Sequence, residues 1–234
     1  MWFIVAAAHA DDGAKARVAP LGVDRLAEVG ALSFTFNVEK DGQLKASRSW
    51  TWHPVDGTVT RKLGDEVTTF VFGKPSGEVE QKADAQFVND TFWLAPQLHL
   101  RWAGPDLTVT DGGDVPPPLA VPGGAATTHL VTMQYAPTGG GYTPGDAYDL
   151  YLDPSGKIVA WNYREGGAAA PTMTTTFDGY VAVGPLTLAT EHRSADGAFR
   201  LYFTELSVSS AGPTPSVSPA GPTPAVTPAV TPAH

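Results

Sequence analysis

The chain has 234 residues, no cysteine, and a net charge of −9 from 15 basic and 24 acidic side chains. The lack of cysteine excludes disulfides and the usual structural zinc sites, so stability must come from packing. The acidic balance argues against nucleic acid and anionic membrane surfaces as partners, because both repel it.

The first ten residues read MWFIVAAAHA, an apolar run ending in Ala8-His9-Ala10. A short apolar run meeting an A-x-A site is the pattern of a secretory signal. Residues 1–10 are therefore expected to be a signal peptide, and the protein periplasmic or secreted. The basic stretch that usually opens a signal is absent, which leaves a buried first strand as the other reading. No cysteine follows to take a lipid, and no later run is apolar enough for long enough to span a bilayer.

"PLGVDRLAEVGAL" (20–32) has Val23, Leu26 and Ala27 at helical spacing between Pro20 and Gly30, which predicts a short helix. Period-two alternation then takes over. In "ALSFTFNVE", Leu32, Phe34, Phe36 and Val38 share a face, and a turn at Lys40-Asp41-Gly42 leads into "QLKASRSWTW". There Leu44, Ala46, Arg48, Trp50 and Trp52 share a face, so the pair reads as a hairpin. A second helix is predicted in "ADAQFVNDTFWL" (83–94), with Pro96 as its stop. Further strands are expected at 57–63, 66–72, 97–102, 106–110, 128–136, 147–153, 157–164, 172–178, 180–183, 185–193 and 199–208. The stretch 112–126 reads as a long Pro/Gly loop. The last 24 residues hold seven prolines and no charged side chain. That composition predicts a disordered, Pro-rich tail over 211–234.

Residues 11–210 remain as one domain with a sizeable core. So many short antiparallel strands either pack as a sandwich or close toward a barrel.

The chemistry-bearing motifs fail one by one. "GGGYTPGDAYDLYLDPSG" (139–156) carries Asp146, Asp149 and Asp153, but not at calcium-loop spacing. No lysine follows Gly145 to make a phosphate loop, so the stretch reads as a strand between turns. No histidine pairs with another at metal-ligand spacing, and no G-x-S-x-G elbow occurs. Glu191 and His192 are adjacent and so lie on opposite faces of a strand. Nothing in the sequence argues for an enzyme, a cofactor or a metal.

The aromatic residues say more. Aromatics at strand spacing usually form a packed core. With only two short helices to cover a broad sheet, however, part of the inner face would remain an apolar surface of the kind that binds ligands. Phe34, Phe36, Trp50, Trp52, Phe92 and Trp93 are the wall-and-lid candidates. Arg48 among them is either a snorkelling side chain or a head-group contact.

The order of these parts resembles the LolA/LolB-like lipoprotein-carrier superfamily of bacterial envelope proteins. The resemblance rests on Trp50-Thr51-Trp52-His53-Pro54, on the Asp153–Ile158 hairpin and on "GPLTL" at 184–188, and it covers about residues 20–208. Two features depart from it: the 112–126 insertion is longer, and the first helix is shorter. It implies a single curved antiparallel sheet, a half-open β-barrel with two short covering helices. The implied function is non-catalytic binding or carriage of an acyl chain, lipid or lipoprotein, with an envelope protein as a further partner. The competing expectation is a structural or protein-interaction module with a fully packed core.

Overall fold

The computed structural model describes residues 12–211, apart from positions 103, 122, 123, 125 and 140. The expected signal segment and all but the first residue of the expected tail lie outside the described residues.

The expected hairpin is present. Strand β1 (Val29–Lys40) pairs antiparallel with β2 (Gln43–His53), placing Leu32 opposite Trp52, Phe34 opposite Trp50 and Phe36 opposite Arg48. All five apolar members of those pairs are buried, so alternation identified the inner face correctly. Leu44, at the far end of β2, is 57% exposed, beyond a register shift at Val38/Glu39.

Two short strands, β3 (Thr58–Leu63) and β4 (Glu66–Val71), extend this sheet on one side. On the other side β1 pairs with the last strand, β13 (Phe199–Ser210), which carries β12 (Glu191–Arg193) at its edge. A second sheet runs in chain order through β5 (Leu107–Val115), β6 (Thr128–Tyr135), β7 (Ala147–Leu152), β8 (Ile158–Arg164) and β9 (Met173–Thr176). The six- and five-stranded sheets meet where an Asp178–Glu191 bridge joins the end of β9 to β12. Together they form one curved antiparallel wall whose free edges are β4 and β5. The wall does not close, and the result is a half-open barrel. A small hairpin, β10 (Val181–Val183) with β11 (Leu186–Leu188), stands apart from both sheets.

Helices cover the concave face. The main one, α2 (Glu78–Leu94), begins five residues before the expected start. It buries Ala83, Phe87, Asp90 and Leu94 along one stripe, at the three- and four-residue steps of a helix. The stretch expected as a strand at 97–102 is instead a second helix, α3 (Pro96–Arg101), with Pro96 in its first turn. Proline suits that position because its missing N–H would be unpaired there anyway. Residues 96–100 are all buried, so the alternation in "QLHLR" did not mark an exposed face.

The helix expected over 20–32 is a pair of 3₁₀ turns, Ala19–Leu21 and Val23–Glu28, and strand β1 starts at Val29. Gly22 splits the two turns with φ +84°, and a Cβ there would stand 2.0 Å from the carbonyl oxygen of Pro185. Before them, residues 12–18 form a helix, α1, that the sequence pattern did not announce.

Candidate ligand-binding cleft

Helix α2 is buried on two sides. Its Phe87 side faces the six-stranded sheet, where Phe87 packs on Trp50 (5.3 Å between ring centroids), Trp52 (5.7 Å) and Phe72 (5.5 Å). Trp102, just after α3, joins them through Trp52 and Phe72. The stripe Ala85, Val88, Asn89 and Phe92 faces the other way. Between that stripe and the five-stranded sheet lies a cleft of about 520 Å³, lined also by Trp93, Tyr135, Tyr148 and Trp161. Its volume falls within the range of small-molecule pockets, ~300–1,000 Å³.

The deep end is a stack of rings. Phe92 lies 4.3 Å from Tyr148 and 5.3 Å from Trp161, and Trp93 lies 4.4 Å from Trp161. All four are buried. The other end lies about two and a half helical turns away, where Asp84, Gly73 and Tyr142 meet. From Asp84 to Trp93 is nine residues of helix, about 14 Å. Tyr142 is 47% exposed and donates its hydroxyl to Asp84 Oδ2 at 2.6 Å, while the backbone N–H of Gly73 donates to Oδ1 at 3.0 Å. Burial and the Asp84 carboxylate push the Tyr142 phenol up to about 12.

His99 on α3 forms part of the wall. Its Nε2 lies 3.3 Å from the Thr91 hydroxyl and its ring 4.8 Å from Phe92. Burial lowers its pKa from 6.5 to about 3, so it is neutral at physiological pH. Burial likewise pushes the Tyr135 phenol up to about 12 and the Tyr148 phenol higher still. Among the described residues no lysine or arginine lines the cleft.

Of the residues singled out from sequence, Phe92 and Trp93 line this cleft. Phe34, Phe36, Trp50 and Trp52 lie behind α2 in the packed aromatic core, at 1–2% exposure. Phe34 and Phe36 pack edge-on against Phe203, each at 5.8 Å. Arg48 lies 4.5 Å above the Phe36 ring and donates twice to Asp90, at 2.9 and 2.7 Å. Its guanidinium is thus committed to the protein.

Sequence reasoning passed over Tyr135, Tyr142, Tyr148, Asp84 and His99. The 139–156 stretch read as architecture, yet its Gly141, Tyr142, Thr143 and Tyr148 line the cleft. Its aspartates do serve the fold. Asp146 accepts from Tyr163 and the Gly166 N–H, Asp149 from Arg164 and Thr132, and Asp153 caps its own turn. The available signal was Tyr148, one strand position from Asp149 and on the opposite face.

No protein-family profile and no curated protein matches the chain. Among solved structures, a LolA superfamily protein from Nitrosomonas europaea is similar with a TM-score of 0.51 at 7% identity, over 85% of this chain and 94% of that one. The fold is LolA-like. A DUF1329 family protein from Desulfovibrio piger aligns over 87% of this chain and 93% of its own, at 8% identity and a TM-score of 0.46. A shared LolA-like fold does not carry function with it, so function must be argued from the cleft. Among the described residues no helix is long and apolar enough to cross a membrane.

Proposed function

We propose that this protein binds a hydrophobic ligand, of the acyl-chain or lipid class, in the cleft between α2 and strands β6–β8, without catalysing a reaction on it. The observation that carries this reading is a cleft lined by the buried rings of Phe92, Trp93, Tyr148 and Trp161 and bordered at its other end by Asp84 and the exposed Tyr142. Each methylene moved from water onto those rings contributes about 0.8 kcal/mol, so a chain filling half the cleft already binds usefully. The LolA-like neighbour supports carriage in an envelope compartment, where an apolar chain needs a shell to cross water. Phe92 and Trp93 are the ligand-contacting members of the residues picked from sequence. The Trp50–Phe87 cluster is the floor that holds α2 in place.

A test is to fill the cleft. Val88 faces it and is only partly buried. Val88→Trp should abolish the fluorescence rise of an environment-sensitive alkyl probe that the wild type produces, with the fold retained by circular dichroism. Equal probe binding by both proteins would contradict the site, and a wild type that never binds would favour an interaction module with a packed interior.

A further inference from the structure

At the Tyr142 end of the cleft lies a buried carboxylate with no basic partner among the described residues. Asp84 is 1% exposed, and both its oxygens are held by neutral donors, Gly73 N–H and Tyr142 hydroxyl. Among the described residues no lysine, arginine or histidine forms an ion pair with it, whereas the other buried carboxylate of α2, Asp90, has Arg48. Buried charges are ordinarily paired, because losing water costs them heavily. Asp84 borders a space walled by Phe72, Tyr135, Tyr142 and Tyr148, whose ring faces attract cations. An anionic head there would meet Asp84 with no basic residue among the lining side chains to offset it.

Building on the hydrophobic-ligand reading above, we infer that the ligand is an amphiphile with a positively charged nitrogen head, an alkylammonium group seated at Asp84 and Tyr142, and an aliphatic tail running along Val88 to Trp93. The aromatic walls and the buried acid recognise the cation together, and the apolar deep end takes the tail. Fatty acids and other anionic amphiphiles of equal chain length are discriminated against.

Three probes with twelve-carbon chains test this: dodecyltrimethylammonium, dodecyl maltoside and laurate. Each is titrated below its micelle concentration into the full chain at 0.15 M salt, reading the change in intrinsic tryptophan fluorescence, to which Trp93 and Trp161 contribute from the cleft wall. The cationic probe should bind at least tenfold more tightly than laurate, with the neutral maltoside between them. Asp84→Asn should weaken the cation about tenfold and leave the maltoside unchanged. A matched change at the exposed turn residue Asp65, Asp65→Asn, controls for the overall negative charge and should change neither. Should Asp84→Asn not fold, Tyr142→Ala takes its place, since its exposed ring can be lost without opening the core. It should weaken the cation several-fold, and clearly more than it weakens the maltoside. Laurate binding as tightly as the cation, or a cation preference that survives these substitutions, overturns the inference while leaving hydrophobic binding intact. If none of the three probes binds, the hydrophobic-ligand reading itself fails.

Discussion

Arg48 on β2 and Asp90 on α2 form a two-point ion pair at 2.9 and 2.7 Å, with the Asp90 side chain wholly buried. Trp50 adds its indole N–H to Asp90 Oδ2 at 2.8 Å, and Asn89 donates to Oδ1 at 2.9 Å. Burial pushes the Asp90 carboxyl above its ordinary value, and the Arg48, Asn89 and Trp50 donors pull against that. This cluster pins the main helix to the six-stranded sheet, and so fixes the cleft on the helix's other side. Asp90→Ala leaves the mostly buried Arg48 and the Trp50 N–H without an acceptor, and should cost about 3–5 kcal/mol in urea unfolding. Replacing both partners, Arg48→Met with Asp90→Leu, should recover most of that loss.

Stability should fall on acidification because of two buried histidines. His99 and His192 both have pKa values lowered to about 3 by burial, against an ordinary 6.5. His192 sits among Trp93, Phe177 and Phe203, with Nδ1 3.3 Å from the Thr176 carbonyl oxygen. Below pH 6.5 the unfolded chain takes up protons that the folded protein refuses. The contribution of each histidine is therefore fully present above pH 6.5 and is lost as pH falls toward 3. The slope for each approaches about 1.4 kcal/mol per pH unit. Urea titrations at pH 7, 6 and 5 should show it, and His192→Phe should remove about half. A stability unchanged from pH 7 to 5 would contradict the neutral, buried state of both rings.

The end of α1 lies close against the turn between β7 and β8. Gly156, in the turn between β7 and β8, has φ +85°, and a Cβ there would stand 2.0 Å from the carbonyl oxygen of Arg17. Gly64 has a similar φ of +61° but open space around it. Gly64→Ala should cost only the left-handed backbone penalty, about 1–2 kcal/mol. Gly156→Ala pays that and must also displace α1, so its melting temperature should drop clearly further.

The aromatic residues divide by role. Trp52→Ala, behind α2, should cost about 3–5 kcal/mol of stability. In the protein that remains folded, affinity for an alkyl probe should change less than twofold. Phe92→Ala should reduce that affinity several-fold, because its ring lines the cleft itself.

The fold was largely legible in the sequence. Leu32, Phe34 and Phe36 alternate as apolar residues with Ser33, Thr35 and Asn37, so period two carried the signal even though Thr35 and Asn37 are buried too, and the fold is LolA-like as the resemblance implied. The covering layer was less legible. Leu98 and Leu100 alternate like a strand, but every residue from Pro96 to Leu100 is buried, so alternation there reflects no exposed face. Pro96 looked like a stop and is also the start of the next helix. The cleft was only half legible, because Trp93 and Trp161 are 68 residues apart in the chain and 4.4 Å apart in space. Nothing in local spacing announces such a pairing. Trp50 and Trp52 looked like a lining because sequence reveals which face of a sheet is apolar, and not which part of it a helix will cover.

The most direct test of the central claim is native mass spectrometry of the protein purified from its own cells without detergent. A bound mass that organic extraction removes and that matches an amphiphilic lipid, absent from Val88→Trp prepared the same way, is the predicted result. A bare protein mass that persists after incubation with mixed lipids would contradict it.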